Sequence, residues 1–257
     1  MTLALLGSLS IASGAATAGD GERSLGPSNV DGVQIEGLRG SLTVLVDDRA
    51  DVDVVVKGDE GSLDDVDAEI VDGVLRITLP TDGGAIVTND GNIVVVTSGG
   101  GTSKVQIGDK TITSDTGMFD IQATVPKGTA IGLDGLVGDV DIGDTEADVF
   151  LGCASCKANL GMIRAFEVVL SGSGEIAVDH VEHSLVANIS GGGDIDIKGG
   201  DVEAAVLNIV GHGDIDFAGH AVDAAASIVG SGKIRIFDVD NPIQQSIIGS
   251  GDIVTGE

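Results

Sequence analysis

In the C-terminal half of the chain, apolar and polar positions alternate in short runs set off by glycine. Ile176-Ala177-Val178, Ile195-Asp196-Ile197, Ile215-Asp216-Phe217 and Ile234-Arg235-Ile236 each carry two apolar residues two positions apart. A period of two puts both on one side of a β-strand and the residue between them on the other. Each run follows a short phrase: Gly172-Ser173-Gly174-Glu175, Gly191-Gly192-Gly193-Asp194, Gly211-His212-Gly213-Asp214 and Gly230-Ser231-Gly232-Lys233, with a fifth copy at Gly249-Ser250-Gly251-Asp252. The first glycines stand 19, 20, 19 and 19 residues apart. A fixed period of that size predicts a solenoid with one coil per repeat.

Aligned on the phrase, the inward positions form columns. One is Ile176, Ile195, Ile215, Ile234 and Ile253; the next is Val178, Ile197, Phe217 and Ile236. A third is Val181, Val202, Val222 and Val239, and Ile189, Ile209, Ile228 and Ile247 close each coil. Coils stacked about 4.7–4.9 Å apart turn each column into a ladder of like side chains. The one extra residue of the second coil is expected in the turn Lys198-Gly199-Gly200-Asp201. A 19-residue coil at roughly 3.3 Å per residue is about 60 Å around, which suits two or three short strands joined by tight turns. The expected fold is all-β, a single-stranded parallel β-helix. The hexapeptide pattern of left-handed helices is missing, which favours the right-handed form, and no Leu-x-Leu and Asn signature of leucine-rich repeats is present.

Upstream the register decays. Gly138-Asp139-Val140-Asp141-Ile142 reads as an earlier copy, with a degraded coil around Cys156-Lys157-Ala158. The N-terminal part reads as irregular strands at Val33–Ile35, Leu42–Val46, Val52–Lys57, Ala68–Val71 and Val74–Leu79. Asp72-Gly73 between the last two is a hairpin signal. Residues 81–117, rich in Gly, Thr, Ser and Asp, read as a hairpin or flexible insertion carrying Ile93–Val96 and Lys104–Ile107.

Composition sharpens this picture. There are 41 glycines, 4 prolines, five phenylalanines and no Trp or Tyr, as expected of many short β runs between glycine turns. Net charge is −28, from 41 acidic against 13 basic residues. Such a surface repels phosphate backbones and anionic lipid headgroups, which excludes nucleic acid as a partner. Residues 1–18 carry no charge. Their apolar stretch Leu3–Ile11 leads to Ala16-Thr17-Ala18, a small-x-small pattern that predicts a secretory signal peptide, although a basic leader is missing. That stretch is too short to span a bilayer, and no membrane span is expected elsewhere.

Several residues could carry chemistry. Asp194/Asp196 and Asp214/Asp216 are paired carboxylates of the kind that cleave polysaccharides on β-helices. Yet an acid recurs at the same place as Glu175, Asp194, Asp214 and Asp252, and a repeated residue is turn chemistry more often than a catalytic constellation. Calcium in the acidic columns stays open, although the repeat-in-toxin spacing is absent and Lys233 and Arg235 interrupt both columns. Cys153-Ala154-Ser155-Cys156 lacks the βαβ setting of a redox motif and the second half of a zinc site, so a local disulfide between Cys153 and Cys156 is expected. His180, His183, His212 and His220 read as surface histidines. No catalytic, metal or cofactor-binding residue is assigned, and no cofactor is expected.

The ordered set Val30-Asp31-Gly32-Val33, Val54-Val55-Val56-Lys57-Gly58-Asp59-Glu60, Asp72-Gly73-Val74-Leu75-Arg76-Ile77, Val125-Pro126 and repeated Gly-Ser-Gly-Asp-Ile resembles one family. That family is the putative auto-transporter adhesin, head GIN domain group of exported bacterial proteins, and the resemblance covers about residues 28–256. It implies an exported β-helical domain and supplies no catalytic residues. Segment 81–117 departs from its pattern. The expected function is therefore an exported, non-enzymatic interaction module, adhesin-like, at the cell surface or in the periplasm. Rival readings are a polysaccharide lyase or hydrolase and a structural envelope component. Expected partners are an envelope protein or glycan, with weak self-association through the C-terminal edge at Gly249–Gly256.

Overall fold

Strict alternation of buried and outward residues runs through almost every element, because the chain winds repeatedly around one apolar column. The structure, a computed structural model, describes residues 21–58, 60–80 and 118–256 together with the backbone of five further strands. The first strands are β1 (Leu9–Ser10), β2 (Glu22–Ser24), β3 (Gly32–Glu36), β4 (Arg39–Asp47) and β5 (Asp53–Lys57). One helical turn, α1 (Glu60–Leu63), precedes β6 (Asp67–Val71) and β7 (Val74–Thr78). Four strands follow: β8 (Ala85–Asn89), β9 (Asn92–Val96), β10 (Ser103–Ile107) and β11 (Lys110–Ser114). Next come β12 (Phe119–Pro126), β13 (Ala130–Ile142), β14 (Asp148–Leu170), β15 (Glu175–Gly191) and β16 (Asp194–Ile197). The last are β17 (Asp201–Gly211), β18 (Asp214–Gly230), β19 (Lys233–Val239), β20 (Gln244–Gly249) and β21 (Asp252–Thr255).

From β13 to β19 the strands pair parallel with the coils on both sides, and β20 and β21 pair parallel with the coil before them. The protein is a parallel β-solenoid. Its strands are longer than the short ones expected: β14 has 23 residues and β18 has 17. Each bends around corners while staying in register with its neighbour. The hydrogen-bond ladder between stacked coils continues through those bends, so a corner does not end a strand.

Two sheets result. One contains Gly138–Ile142, Lys157–Leu160, Glu175–Val178, β16, Asp214–Phe217, Lys233–Ile236 and β21. The other contains β3, Ala130–Asp134, the start and end of β14, Ser184–Gly191, β17, the end of β18 and β20. The core between them is continuous along the molecule. Ile176, Ile195, Ile215 and Ile234 form one buried ladder, and Val178, Ile197, Phe217 and Ile236 the next.

The third column differs from expectation at one coil. Ile197 pairs with Phe217, twenty residues on, whereas Asp201 pairs with His220, nineteen on. The extra residue is therefore consumed at Lys198-Gly199-Gly200. Downstream of it the inward place belongs to Ala221, fully buried between Val202 and Val239, and Val222 points outward.

The N-terminal strands are irregular, mixing parallel and antiparallel pairings, yet two of them join the stack of coils. β3 pairs with Ala130–Asp134 and β4 with Val137–Ile142, both parallel. Residues 32–47 thus supply a regular coil that stacks on residues 130–142 across a long gap in sequence. β12 pairs with the other side of β4, antiparallel β5 follows it, and β2 follows β5. β6 and β7 form a hairpin through Asp72-Gly73, both with positive φ, and β7 pairs with β3. Within 81–117, β8 pairs antiparallel with β9 and β10 with β11. The expected signal segment lies outside the described residues, apart from Leu9–Ser10, whose backbone pairs with Ile70 and Glu69.

Candidate functional site

A solenoid offers its outward ladders as surface, and here the two sheets differ in chemistry. On the first sheet the outward columns are charged. One runs Asp139, Lys157, Glu175, Asp194, Asp214, Lys233 and Asp252. The other runs Asp141, Asn159, Ala177, Asp196, Asp216, Arg235 and Val254.

Most of these acids are engaged with the neighbouring coil. The Asp194 carboxylate accepts the Asp214 backbone N–H at 3.3 Å, and Asp214 accepts that of Lys233 at 2.9 Å. The acid therefore bonds the next coil's backbone rather than its own turn. Asn159 donates to Asp141 at 2.9 Å, Lys157 lies 3.4 Å from Glu175, and Arg235 pairs with Asp216. Among the described residues no cluster of three or more His, Cys, Asp or Glu is arranged to hold a metal ion.

The Gly-x-Gly phrase forms the corner between the sheets. Gly211 has φ +136°, and a Cβ there would collide with the carbonyl oxygen of Gly191 in the coil before. Close approach of stacked corners, together with a left-handed backbone, is what demands glycine at this place. Cys153-Ala154-Ser155-Cys156 occupies the same corner one coil before Gly172. A bulge between Leu136/Cys153 and Val137/Ser155 turns both cysteines inward, where they are buried and joined in a disulfide with Cα atoms 6.0 Å apart. They lie within β14 rather than in a free turn.

The histidines lie apart. His212 Nδ1 is 2.7 Å from Ser231 Oγ, and His183 is 3.6 Å from Glu203. His220 bridges three coils: Nδ1 is 3.3 Å from Asp201 and Nε2 3.3 Å from Asp240. The Asp240 hydrogen bond is the main cause that raises its pKa; burial opposes, and the charges of Asp240, Asp238 and Asp201 add to the rise.

The second sheet differs toward the C-terminal end. Its outward columns are Ser184, Ala204 and Asp223; Val186, Val206, Ala225 and Gln244; Asn188, Asn208, Ser227 and Ser246; and Ser190, Val210, Val229 and Ile248. Asp223 alone among these is charged. Asn208 donates to Asn188 at 2.9 Å, a ladder bond between coils. Val210 is 55% exposed and Ile248 66%. On a chain of net charge −28 this is a flat, nearly uncharged strip with an apolar column along one side. Sequence reasoning missed it, because the alternation that marks the inward columns says nothing of which outward columns end up side by side. Farther along the same sheet, toward β3, lies a groove of about 460 Å³ whose outward residues include Gln34, Gly132, Phe150 and Glu167.

The stacked ladders, the two outward faces and the repeated corner define the class of the protein as a parallel β-solenoid built from repeated coils. The chain belongs to the family described as putative auto-transporter adhesin, head GIN domain, whose model matches residues 33–256. Solved structures share the fold. A putative adhesin from Bacteroides fragilis aligns with TM-score 0.60 at 18% identity, covering 91% of this chain and 95% of its own. Another from Parabacteroides merdae gives 0.51 at 18% identity, covering 92% and 95%. A third, from Parabacteroides distasonis, gives 0.50 at 19% identity, covering 93% and 98%. No curated protein matches the chain.

Proposed function

We propose that this protein is an exported, non-enzymatic, adhesin-like module that docks on an envelope protein or glycan through the low-charge strip of its second sheet. The observation that carries this reading is the strip itself. Apolar Val206, Val210, Val229 and Ile248 stand exposed on a sheet with one charge among its C-terminal columns, on an otherwise strongly acidic chain. Contiguous exposed apolar surface of this kind marks interaction sites. Export is supported by the Ala16-Thr17-Ala18 pattern and by the family. Against polysaccharide cleavage stands the use of the acids: Asp194 and Asp214 are spent as acceptors for the next coil's backbone, a repeated structural role.

The test is adhesion of protein-coated beads to envelope fragments of the source cells. Val210→Glu combined with Val229→Glu should abolish adhesion without lowering Tm by more than a few degrees. Asp196→Asn on the other sheet should leave adhesion unchanged. Equal adhesion by the strip variant would overturn the reading.

A further inference from the structure

The groove on the second sheet spans six neighbouring strand segments, from Val74 of β7 through β3 to Ser184–Val186. At about 4.8 Å between strands it is roughly 24 Å long, enough for an extended segment of about seven residues. Small residues recur along its floor and leave room above the backbone: Ala130 pairs with Gly32, and Ala165 with Ser184. Gly132 lies between Gln34 and Phe150 on adjacent strands, so a missing side chain opens space beside the Phe150 ring. Phe119, Phe166 and Phe217 are buried, whereas Phe150 is half-buried and faces the groove. The bonds from Arg164 N–H to Ala147 O at 3.0 Å and from Ser171 N–H to Cys153 O at 2.8 Å lay residues 164–171 beside 147–153. Glu167 is thereby the outward neighbour of Phe150. It is exposed and makes no ion pair or hydrogen bond with its side chain among the described residues. The other carboxylate of the groove, Asp148, is neutralised by Arg164 at 2.6 Å.

An aromatic face beside an unneutralised carboxylate attracts a cation that also carries an apolar stem. We propose that this groove takes an arginine or lysine side chain presented by an extended segment of a partner protein, with the charge on Glu167 and the methylene stem across Phe150. The proposal rests on the interaction-module reading and gives one partner-recognition element its chemistry. A neutral partner gains nothing from Glu167, and an acidic one is repelled by it and by the net charge of −28.

The experiment is an NMR titration of isotope-labelled protein with three probes: a blocked valine-threonine-arginine-threonine-valine peptide, its glutamine counterpart, and chitotriose. The arginine peptide should shift the amides of residues 148–152 and 165–168 and bind at least about fivefold more tightly than the glutamine peptide. Phe150→Ala and Glu167→Gln should each remove most of that preference. Asp196→Asn, the same charge change on the other sheet, should keep it. Equal binding of the two peptides, tighter binding of chitotriose, or equal losses with Glu167→Gln and Asp196→Asn would overturn the proposal, the last by showing diffuse attraction to an acidic surface. Bead adhesion separates the two readings. Adhesion lost in the strip variant but no arginine preference overturns the groove alone; adhesion retained in the strip variant overturns the docking reading itself.

Discussion

Ile215 and Asp216 are adjacent and opposite in fate: the first is buried in a ladder between Ile195 and Ile234, the second faces solvent against Arg235. Ile215→Asp would place an unpaired charge in the core and should cost roughly 3 kcal/mol or more in a urea melt. Asp216→Asn removes one exposed ion pair and should cost well under about 1 kcal/mol. His220 gives a pH signature. Its folded pKa is raised by Asp240, so the stability it contributes is complete below the unfolded value of about 6.5 and is lost as pH rises through the folded value. Thermal unfolding from about pH 5.5 to 8.5 should show wild type losing its margin over His220→Gln across that window. An unchanged difference between the two proteins would mean the imidazole bridge to Asp201 and Asp240 carries no stability.

At the scale of the element, the corner decides. Gly211→Ala forces a side chain into the Gly191 carbonyl at φ +136° and should cost roughly 2 kcal/mol or more. Gly192→Ala in the same phrase has open space around it and should fall within about 0.5 kcal/mol of wild type. Paired melts of the two variants separate a steric corner from a merely flexible one. Three coils before Gly211, the Cys153–Cys156 disulfide staples the equivalent corner, and we propose that it is formed in the exported protein. Thiol alkylation followed by mass spectrometry should find both cysteines blocked until a reductant is added. Because the closed loop is only a few residues long, chain entropy predicts a loss of about 2 kcal/mol on reduction, less than a long-range bridge would give.

At the scale of the whole molecule, the solenoid is a stack of coils whose stability comes from nearest neighbours. The last coil among the described residues exposes what inner coils cover: Ile247, in the same column as buried Ile228, is 43% exposed. We propose that β20 and β21 pair weakly with a second copy, because exposed strand edges template further pairing. Sedimentation over a wide concentration range should show concentration-dependent association, and Ile253→Pro should reduce it; a single species throughout would remove this contact.

The sequence alone determined the repeat, the inward ladders of Ile176 and Val178, the corner glycines and the family, because each is a local pattern recurring at a nearly constant offset. Tertiary structure decided the rest. Only stacking shows that residues 32–47 form the coil beneath 130–142, since no repeat signal links segments so far apart in the chain. Ala221 rather than Val222 faces inward because a single extra residue is consumed one coil earlier, a choice that both apolar side chains leave open. The low-charge strip and the Phe150 groove arise where outward residues from different coils become neighbours. Outward positions carry no burial constraint, so the alternation that fixes what lies inside leaves their company undetermined until the coils are stacked.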